Sequence, residues 1–162
     1  MKKILFSLMF WLISLTWNGI LTIIGLIATP FVLISGGTPH RNGCSYIIEI
    51  GGDWGGINLG AVSFCGRYKM YSNDYYIHTR CHEFGHAMQG LIFGPFQIFV
   101  VAIPSVIRCW IFQIREAKKL PKKEYDDIWF EYTASKWGHN VINWLENKKY
   151  PYTFVRSKKA KH

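Results

Sequence analysis

The chain has 162 residues, enough for one domain, and carries a net charge of +9 with 17% aromatic residues. Its four cysteines show no CxxC spacing, which excludes a zinc ribbon and a dithiol redox pair. No Gly-rich phosphate loop, nucleotide fingerprint or nucleic-acid motif is present, so we expect no nucleic-acid partner.

The first apolar segment covers residues 4–34, where 31 consecutive positions carry no charge. About 20 apolar residues suffice to cross a bilayer, so we predict an uncleaved N-terminal membrane anchor. The excess length leaves two alternatives. Either one tilted helix continues into the headgroups, or the chain breaks near Asn18-Gly19 or Pro30 and returns through the membrane.

Residues 45–64 place short β-branched runs on both sides of a Gly-rich centre, which predicts a β-hairpin centred near Trp54. Such a hairpin would bring Cys44 and Cys65 close enough for a disulfide if the region faced an oxidising compartment. Buried free thiols are the default expectation for both cysteines.

His82-Glu83-Phe84-Gly85-His86 fits the HExxH pattern, in which two histidines at i and i+4 face one metal ion from the same side of a helix. Glu83 then lies within reach of a metal-bound water. Random placement of the histidines and glutamates of this chain gives about 0.01 such matches, so the pattern is uncommon by chance. A polar cluster on an amphipathic helix is the alternative interpretation.

A second apolar run covers residues 91–114 and is interrupted by Pro95, Gln97, Pro104 and Arg108. Prolines remove backbone donors and break the hydrogen-bond ladder of a helix. The run therefore fits either a full crossing or a shallow hairpin that turns near Pro104.

Residues 126–145 have the apolar spacing of a helix, with Asp126 or Asp127 at the N-cap. Zinc in a catalytic site takes three protein ligands, and Glu131 in this helix is the candidate for the third. His78 is a lesser candidate, because histidines at i, i+4 and i+8 extend over about 12 Å, too far for one ion.

A strip of small side chains follows Glu131 on the same helical face and would let this helix pack closely on the Gly85 and Gly90 side of the HExxH helix. The strip consists of Ala134, Ser135 and Gly138. If the two helices share one zinc ion, a straight crossing by residues 91–114 would separate them by about 30 Å of hydrocarbon. The ligand set therefore favours a broken hairpin or in-plane helices for this run.

HEFGH followed about 45 residues later by EYTA resembles the membrane gluzincins, namely the HtpX-like heat-shock peptidases and the CAAX prenyl proteases. The resemblance covers about residues 75–145. It implies that His82, His86 and Glu131 bind zinc and that Glu83 is the catalytic base. The aspartate of the family pattern falls at Ser135, and a serine orients a ligand histidine more weakly than a carboxylate.

Peptide hydrolysis also needs an oxyanion partner. His139, at i+8 from Glu131, is the candidate, with Tyr132 and Tyr125 as alternatives. In many zincins the substrate peptide adds as a strand to an exposed sheet edge beside the active-site helix. By that resemblance, the strand at residues 57–64 would align the substrate.

Charge gives the expected side of the membrane. Residues 115–162 hold twelve of the nineteen Lys and Arg, which by the positive-inside rule places the site at the cytoplasmic face. Lys2 and Lys3 favour a cytoplasmic N-terminus. That agrees with a first segment that returns and conflicts with one that crosses once.

We therefore expect an α+β membrane protein: an N-terminal transmembrane anchor (1–34), a zincin-like catalytic domain (35–145) and a basic C-terminal tail (146–162). The catalytic domain would contain a small β-hairpin or sheet, the HExxH helix, a membrane-embedded broken hairpin (91–114) and the helix with the third ligand. The expected function is a zinc metallopeptidase of the bacterial inner membrane that cuts a peptide or membrane protein close to the lipid bilayer. The alternatives are a zincin-like metal-binding module without catalysis and a non-enzymatic membrane protein of the immunity or lysis type. The sequence does not predict the oligomeric state.

Overall fold

The computed structural model describes residues 1–52, 54–66, 73–121 and 128–150. Within them lie five α-helices: α1 (Lys2–Thr16), α2 (Gly19–Ile34), α3 (Asn73–Phe93), α4 (Ile103–Ala117) and α5 (Trp129–Glu146). The strands are β1 (Thr38–Asn42), β2 (Ser45–Ile50), β3 (Gly56–Leu59) and β4 (Val62–Gly66). The α+β class predicted from the sequence is confirmed.

The four strands form one sheet in the order β1-β2-β4-β3. β2 and β4 are parallel, whereas β1 pairs antiparallel with β2, and β3 antiparallel with β4. The predicted hairpin centred on Trp54 is therefore wrong. The tight turn forms instead at Gly60-Ala61, where Gly60 has a φ of 70° that L side chains rarely adopt, and the Gly-rich segment connects β2 to β3.

The parallel register also separates Cys44 from Cys65. Cys65 lies beside Glu49, five residues along β2 from Cys44, which is about 16 Å at the rise of a strand. A disulfide needs Cα atoms within about 7 Å, so these two cysteines cannot pair without rearrangement. Both are buried free thiols, and burial raises the pKa of each to about 12.

The first apolar segment breaks near Asn18-Gly19, as one of the two sequence alternatives predicted. α1 and α2 meet there at 96°. Pro30, the other predicted break, lies inside α2. α1 spans 15 residues and α2 spans 16, so each is about 23 Å long, short of the roughly 30 Å hydrocarbon core.

The second apolar run does not turn near Pro104, so that alternative is wrong. The bend comes earlier, in a 3-10 turn at Gly94–Phe96, and Ile98–Ala117 is then one helix whose first five residues are π-helical. Pro104 lies in the first turn of α4, where the altered hydrogen-bond register of the π-helical stretch accommodates its missing N–H. Among the described residues, this is the one unbroken helix long and apolar enough to cross a bilayer.

The core lies between α1, α3 and α5. Phe10 of α1 stacks on Phe84 of α3 with ring centroids 5.8 Å apart, and Ile142 of α5 closes the cluster. A smaller cluster of Ile48, Val62 and Phe64 lies between α2 and the sheet. α3 thus lies in the middle of the molecule, with α5 on one side and the sheet on the other. The predicted N-cap residues of α5, Asp126 and Asp127, lie outside the described residues.

Candidate metal centre

Close packing of α3 on α5 builds the site. A Cβ added to Gly85 would lie 2.7 Å from the Cα of Ala134, and one added to Gly138 would lie 2.9 Å from the backbone nitrogen of Gly85. Both positions therefore require glycine, and the helix backbones touch where they cross. The predicted packing of the Glu131 helix on Gly85 is confirmed, whereas Gly90 packs against Asn18 and Gln97 instead.

The contact brings three predicted ligands together. One carboxylate oxygen of Glu131 lies 3.0 Å from Nε2 of His82 and 3.4 Å from Nε2 of His86, and the two Nε2 atoms are 3.1 Å apart. Ligand atoms in a tetrahedral zinc site, bound at about 2.0–2.1 Å, are separated by about 3.3 Å. The three atoms thus already lie at the separations that a zinc ion needs.

Glu131 is fully buried, and its Oε1 makes no hydrogen bond to any described residue. Burial by itself raises the pKa of this carboxyl, but the imidazoles of His82 and His86 that face it outweigh burial and hold the pKa well below its usual range. A buried carboxylate facing two imidazole nitrogens is the charge arrangement that a divalent cation balances. The residues therefore fit a zinc ion by geometry and by charge.

The other nitrogen of each imidazole is held by a polar side chain. Nδ1 of His82 lies 2.8 Å from the hydroxyl of Ser135, at the position where the gluzincin pattern has aspartate. Nδ1 of His86 lies 2.8 Å from Oε1 of Gln89, whose amide donates to the carbonyl of Phe130 and to the Thr133 hydroxyl. Since Gln89 accepts, Nδ1 of His86 carries the proton and Nε2 is left to bind a metal.

The sequence interpretation missed Gln89, although a signal was present. Gln89 follows His86 by three residues, on the same helical face, and it is fully buried. It holds a ligand histidine and the backbone of α5 at once. This side chain therefore fixes both the imidazole orientation and the distance to the third ligand.

The side chain of Glu83 adjoins β3. Its side chain is 4% exposed and packs against Gly56 of β3, and its Oε2 has no hydrogen-bond partner among the described residues. Burial raises the pKa of the Glu83 carboxyl above its ordinary value, despite the opposing effect of His82 and His86. A carboxylate of raised pKa is a stronger base than an ordinary surface glutamate.

A cleft of about 60 Å³ opens in front of these side chains, with room for a few water molecules. Three elements line the cleft: β3, α3 and the start of the helix Ile98–Ala117. The lining residues are Gly56, Ile57, Asn58, His82, Glu83, His86, Gln97, Val101, Ala102 and Ser105.

β3 forms an edge of the sheet, and that edge lies at the cleft. The two-residue loop after Leu59 makes Leu59 and Val62 a hydrogen-bonded pair. Every second residue of β3 therefore bonds to β4, namely Leu59 and Ile57. The backbone N–H and C=O groups of Gly56 and Asn58 therefore point away from β4. They are the groups that an added strand would pair with.

A second series of buried hydrogen bonds connects the apolar segments to the site. Nδ2 of Asn18, at the break between α1 and α2, donates to Oε1 of Gln97, and Nε2 of Gln97 donates to the carbonyl of His86. The side chains of Asn18 and Gln97 are almost fully buried. The sequence interpretation treated both residues as interruptions of membrane segments, whereas in the fold they connect the break between α1 and α2 and the turn after α3 to the backbone of His86, a candidate ligand.

The remaining predicted candidates lie elsewhere. Nε2 of His139 is 3.3 Å from Nδ1 of His78, and His139 is about 12 Å along α5 from Glu131. Neither residue is among the described residues that line the cleft, so the oxyanion role of His139 stays a prediction. Burial lowers the pKa of His78 to about 3, so its imidazole is neutral. Tyr132 is half-exposed outside the cleft, and Tyr125 lies outside the described residues.

Comparison with known proteins adds no relative to this geometry: no protein-family model, no curated protein and no solved structure matches the chain.

Proposed function

We propose that the protein is a zinc metallopeptidase that cuts a peptide at the surface of a membrane. The observation that carries the proposal is the convergence of His82, His86 and Glu131 within ligand distance of one another. The buried Glu83 at the adjoining cleft supports it, since its Oε2 has no hydrogen-bond partner in the described part of the chain. The same four residues are those that the gluzincin resemblance assigns to the metal and the base.

Each residue has a distinct task. His82, His86 and Glu131 hold the ion, and Ser135 and Gln89 orient the two imidazoles. Zinc, when bound, acts as a Lewis acid that activates a water molecule and polarises the peptide carbonyl. Glu83 accepts the proton of the attacking water and delivers it to the amine that leaves.

The edge of β3 positions the substrate. A peptide that pairs with the outward-facing backbone groups of Gly56 and Asn58 would run through the cleft in front of Glu83. Main-chain hydrogen bonds of this kind align a peptide with little dependence on its sequence. The sequence predicted that residues 57–64 align the substrate. In the proposal only β3 does so, because β4 is paired on both sides.

The proposed substrate is a peptide or membrane protein close to a lipid bilayer, because apolar helices flank the site on both sides in sequence. The basic C-terminal third favours the cytoplasmic face of a bacterial inner membrane.

Metal analysis tests the ligand assignment. Zinc per chain is measured in detergent-purified protein for the wild type, His86→Ala and Glu131→Gln. We expect one zinc per wild-type chain and strongly reduced zinc in both variants. His40→Ala and Glu116→Gln, which change exposed residues outside the cluster, serve as matched controls and should keep the metal. Undiminished zinc in His86→Ala and Glu131→Gln would refute the assignment.

Glu83→Gln separates catalysis from metal binding. The variant should keep zinc and lose cleavage of a peptide library, and an active Glu83→Gln enzyme would remove the proposed base. Zinc without turnover in the wild type would favour the zincin-like module without catalysis. Absence of stoichiometric zinc would favour a non-enzymatic membrane protein.

A further inference from the structure

Three helices expose continuous apolar faces. Each helix of the α1-α2 pair shows such a face, for example Ile4, Leu8 and Leu12 on α1 and Ile23, Ile27 and Phe31 on α2, all 52–67% exposed. The helix Ile98–Ala117 shows Phe99, Ile103, Val106, Ile107, Trp110, Ile111 and Ile114, which are 40–69% exposed. Faces of this size and regularity on several helices indicate contact with an apolar phase.

The helix Ile98–Ala117 is strongly two-sided. At 100° per residue, its exposed apolar side chains fall within an arc of about 140°. Arg108, Ser105 and Glu116 fall outside that arc. A helix that crosses a bilayer alone is apolar all round, whereas a helix that lies in the interface has one apolar and one polar face.

α1 lies along the body of the protein over its whole length. Lys3 donates to Leu145 and Asn147 at the end of α5, Trp11 donates to the carbonyl of Cys44, and Trp17 donates to the carbonyl of Ile92. α1 therefore cannot enter a membrane end-on unless the body enters with it.

The body itself carries exposed polar residues that oppose such insertion. Lys136 and Asn140 are exposed on α5, and His40 and Arg41 are exposed on β1. Moving a charged side chain to the bilayer centre is energetically unfavourable. α1 therefore meets the membrane with its side rather than with its end.

The positions of the two ends of the helix Ile98–Ala117 also argue against a crossing. Its first residues line the cleft beside α3, and α5 also starts beside α3, where Trp129 packs on Phe93. The connection at residues 118–128 contains four lysines and three acids. If the helix crossed the membrane, these seven charges would have to cross back through about 30 Å of hydrocarbon to reach α5.

We infer that the protein is monotopic: α1, α2 and the helix Ile98–Ala117 lie in the plane of one leaflet of an anionic bilayer, and none of them crosses it. The buried bond between Asn18 and Gln97 joins the three helices at one point. Lys2, Lys118 and Lys119 are exposed at the ends of these helices, where phosphate headgroups can reach them. The cleft then opens at headgroup level, where water and an extended peptide both have access.

Sidedness of labelling tests this topology. Three single cysteines, Ser35→Cys, Lys118→Cys and Asn140→Cys, are introduced one at a time into a Cys109→Ser chain that keeps its three buried thiols. The protein is bound by detergent dilution to preformed sealed vesicles of phosphatidylethanolamine and phosphatidylglycerol and is treated with a membrane-impermeant maleimide. We expect all three cysteines to react without lysis of the vesicles. Protection of Lys118→Cys that lysis relieves would show that the helix crosses and would overturn the inference.

Depth gives a second, independent readout. Ile107 lies near the middle of Ile98–Ala117 on its apolar face, so a nitroxide at Ile107→Cys reports where that face lies. We expect it within about 5–10 Å of the headgroups, against about 15 Å, half of the hydrocarbon core, for a crossing helix. A chain that stays soluble without detergent and does not bind the vesicles would also overturn the inference. None of these readouts involves zinc or cleavage, so they stand or fall separately from the proposed peptidase activity.

Discussion

The variant Gly85→Ala tests whether the contact between α3 and α5 builds the metal centre. The new Cβ would overlap the carbonyl group of Ala134, and even its 2.7 Å distance to the Cα of Ala134 is about 1 Å short of the 3.5–4.0 Å at which two carbons pack well. Because the obstacle is backbone on both sides, the helices must separate or tilt by at least about 1 Å. Overpacking of this kind costs about 1–3 kcal/mol of folding stability.

The separation acts directly on the ligands. Moving α5 outward by about 1 Å would lengthen the contact between Glu131 and His82 from 3.0 Å to about 4 Å, beyond the roughly 3.3 Å that tetrahedral zinc requires. We expect the zinc affinity of Gly85→Ala to fall about 100-fold, the upper end of the loss that follows when the support of metal ligands is disturbed.

The affinity is measured by competition with a chromogenic chelator, with circular dichroism to confirm that helical content is kept. Gly19→Ala is the matched control, since a Cβ at that helical glycine meets nothing within 4 Å. Wild-type zinc affinity in a folded Gly85→Ala chain would refute the reasoning, because it would mean that the ligands do not depend on this contact.

Three further predictions concern the surroundings of the metal centre. Gln89→Leu removes the acceptor for Nδ1 of His86, so zinc affinity should fall about 10–100-fold in the same competition assay, whereas the exposed Gln113→Leu should not change it. Gly56→Val places a side chain 2.8 Å or less from the Glu83 carboxyl carbon, and we expect peptide cleavage to be lost with zinc retained; full activity would argue against β3 as the substrate wall. In the native chain near pH 8, maleimide should label Cys109 alone, because a pKa raised to about 12 by burial leaves roughly one in 10⁴ of the other three thiols ionised. Four labels per native chain would contradict the burial of those thiols, and four are expected after denaturation.

Several features of the site followed from local sequence. The i, i+4 spacing of His82 and His86 fixes them on one helical face, because the period of an α-helix is a local property. Glu131 could be selected because its helix carries a strip of small residues that permits close approach. These inferences succeeded since each depends on one helix and on the coordination chemistry of one metal.

Other features depended on contacts between distant segments. The sequence of 45–64 is compatible with a hairpin, but the parallel pairing of β2 with β4 places Cys65 beside Glu49 and makes β3 the sheet edge. Likewise, Gln97 in isolation only interrupts an apolar run, and its bonds to Asn18 and to the carbonyl of His86 exist only in the folded chain. No local pattern encodes such pairings, because the partner residues lie 11 to 79 positions away.

By itself, then, the sequence predicted the candidate ligands, the candidate base and the helices that carry them, since these predictions depend on side-chain chemistry and helical period. Tertiary structure alone decided which strand faces the cleft, which side chains hold the imidazoles, and that His139 contacts His78. It also broke the first apolar segment into α1 and α2, which meet at 96°, where the sequence had left one tilted helix as an alternative. The physical reason is that backbone hydrogen bonds and close helix contacts between remote segments set how the helices and strands are placed relative to one another. The spacing of residues in the sequence sets only which face of one element a side chain lies on.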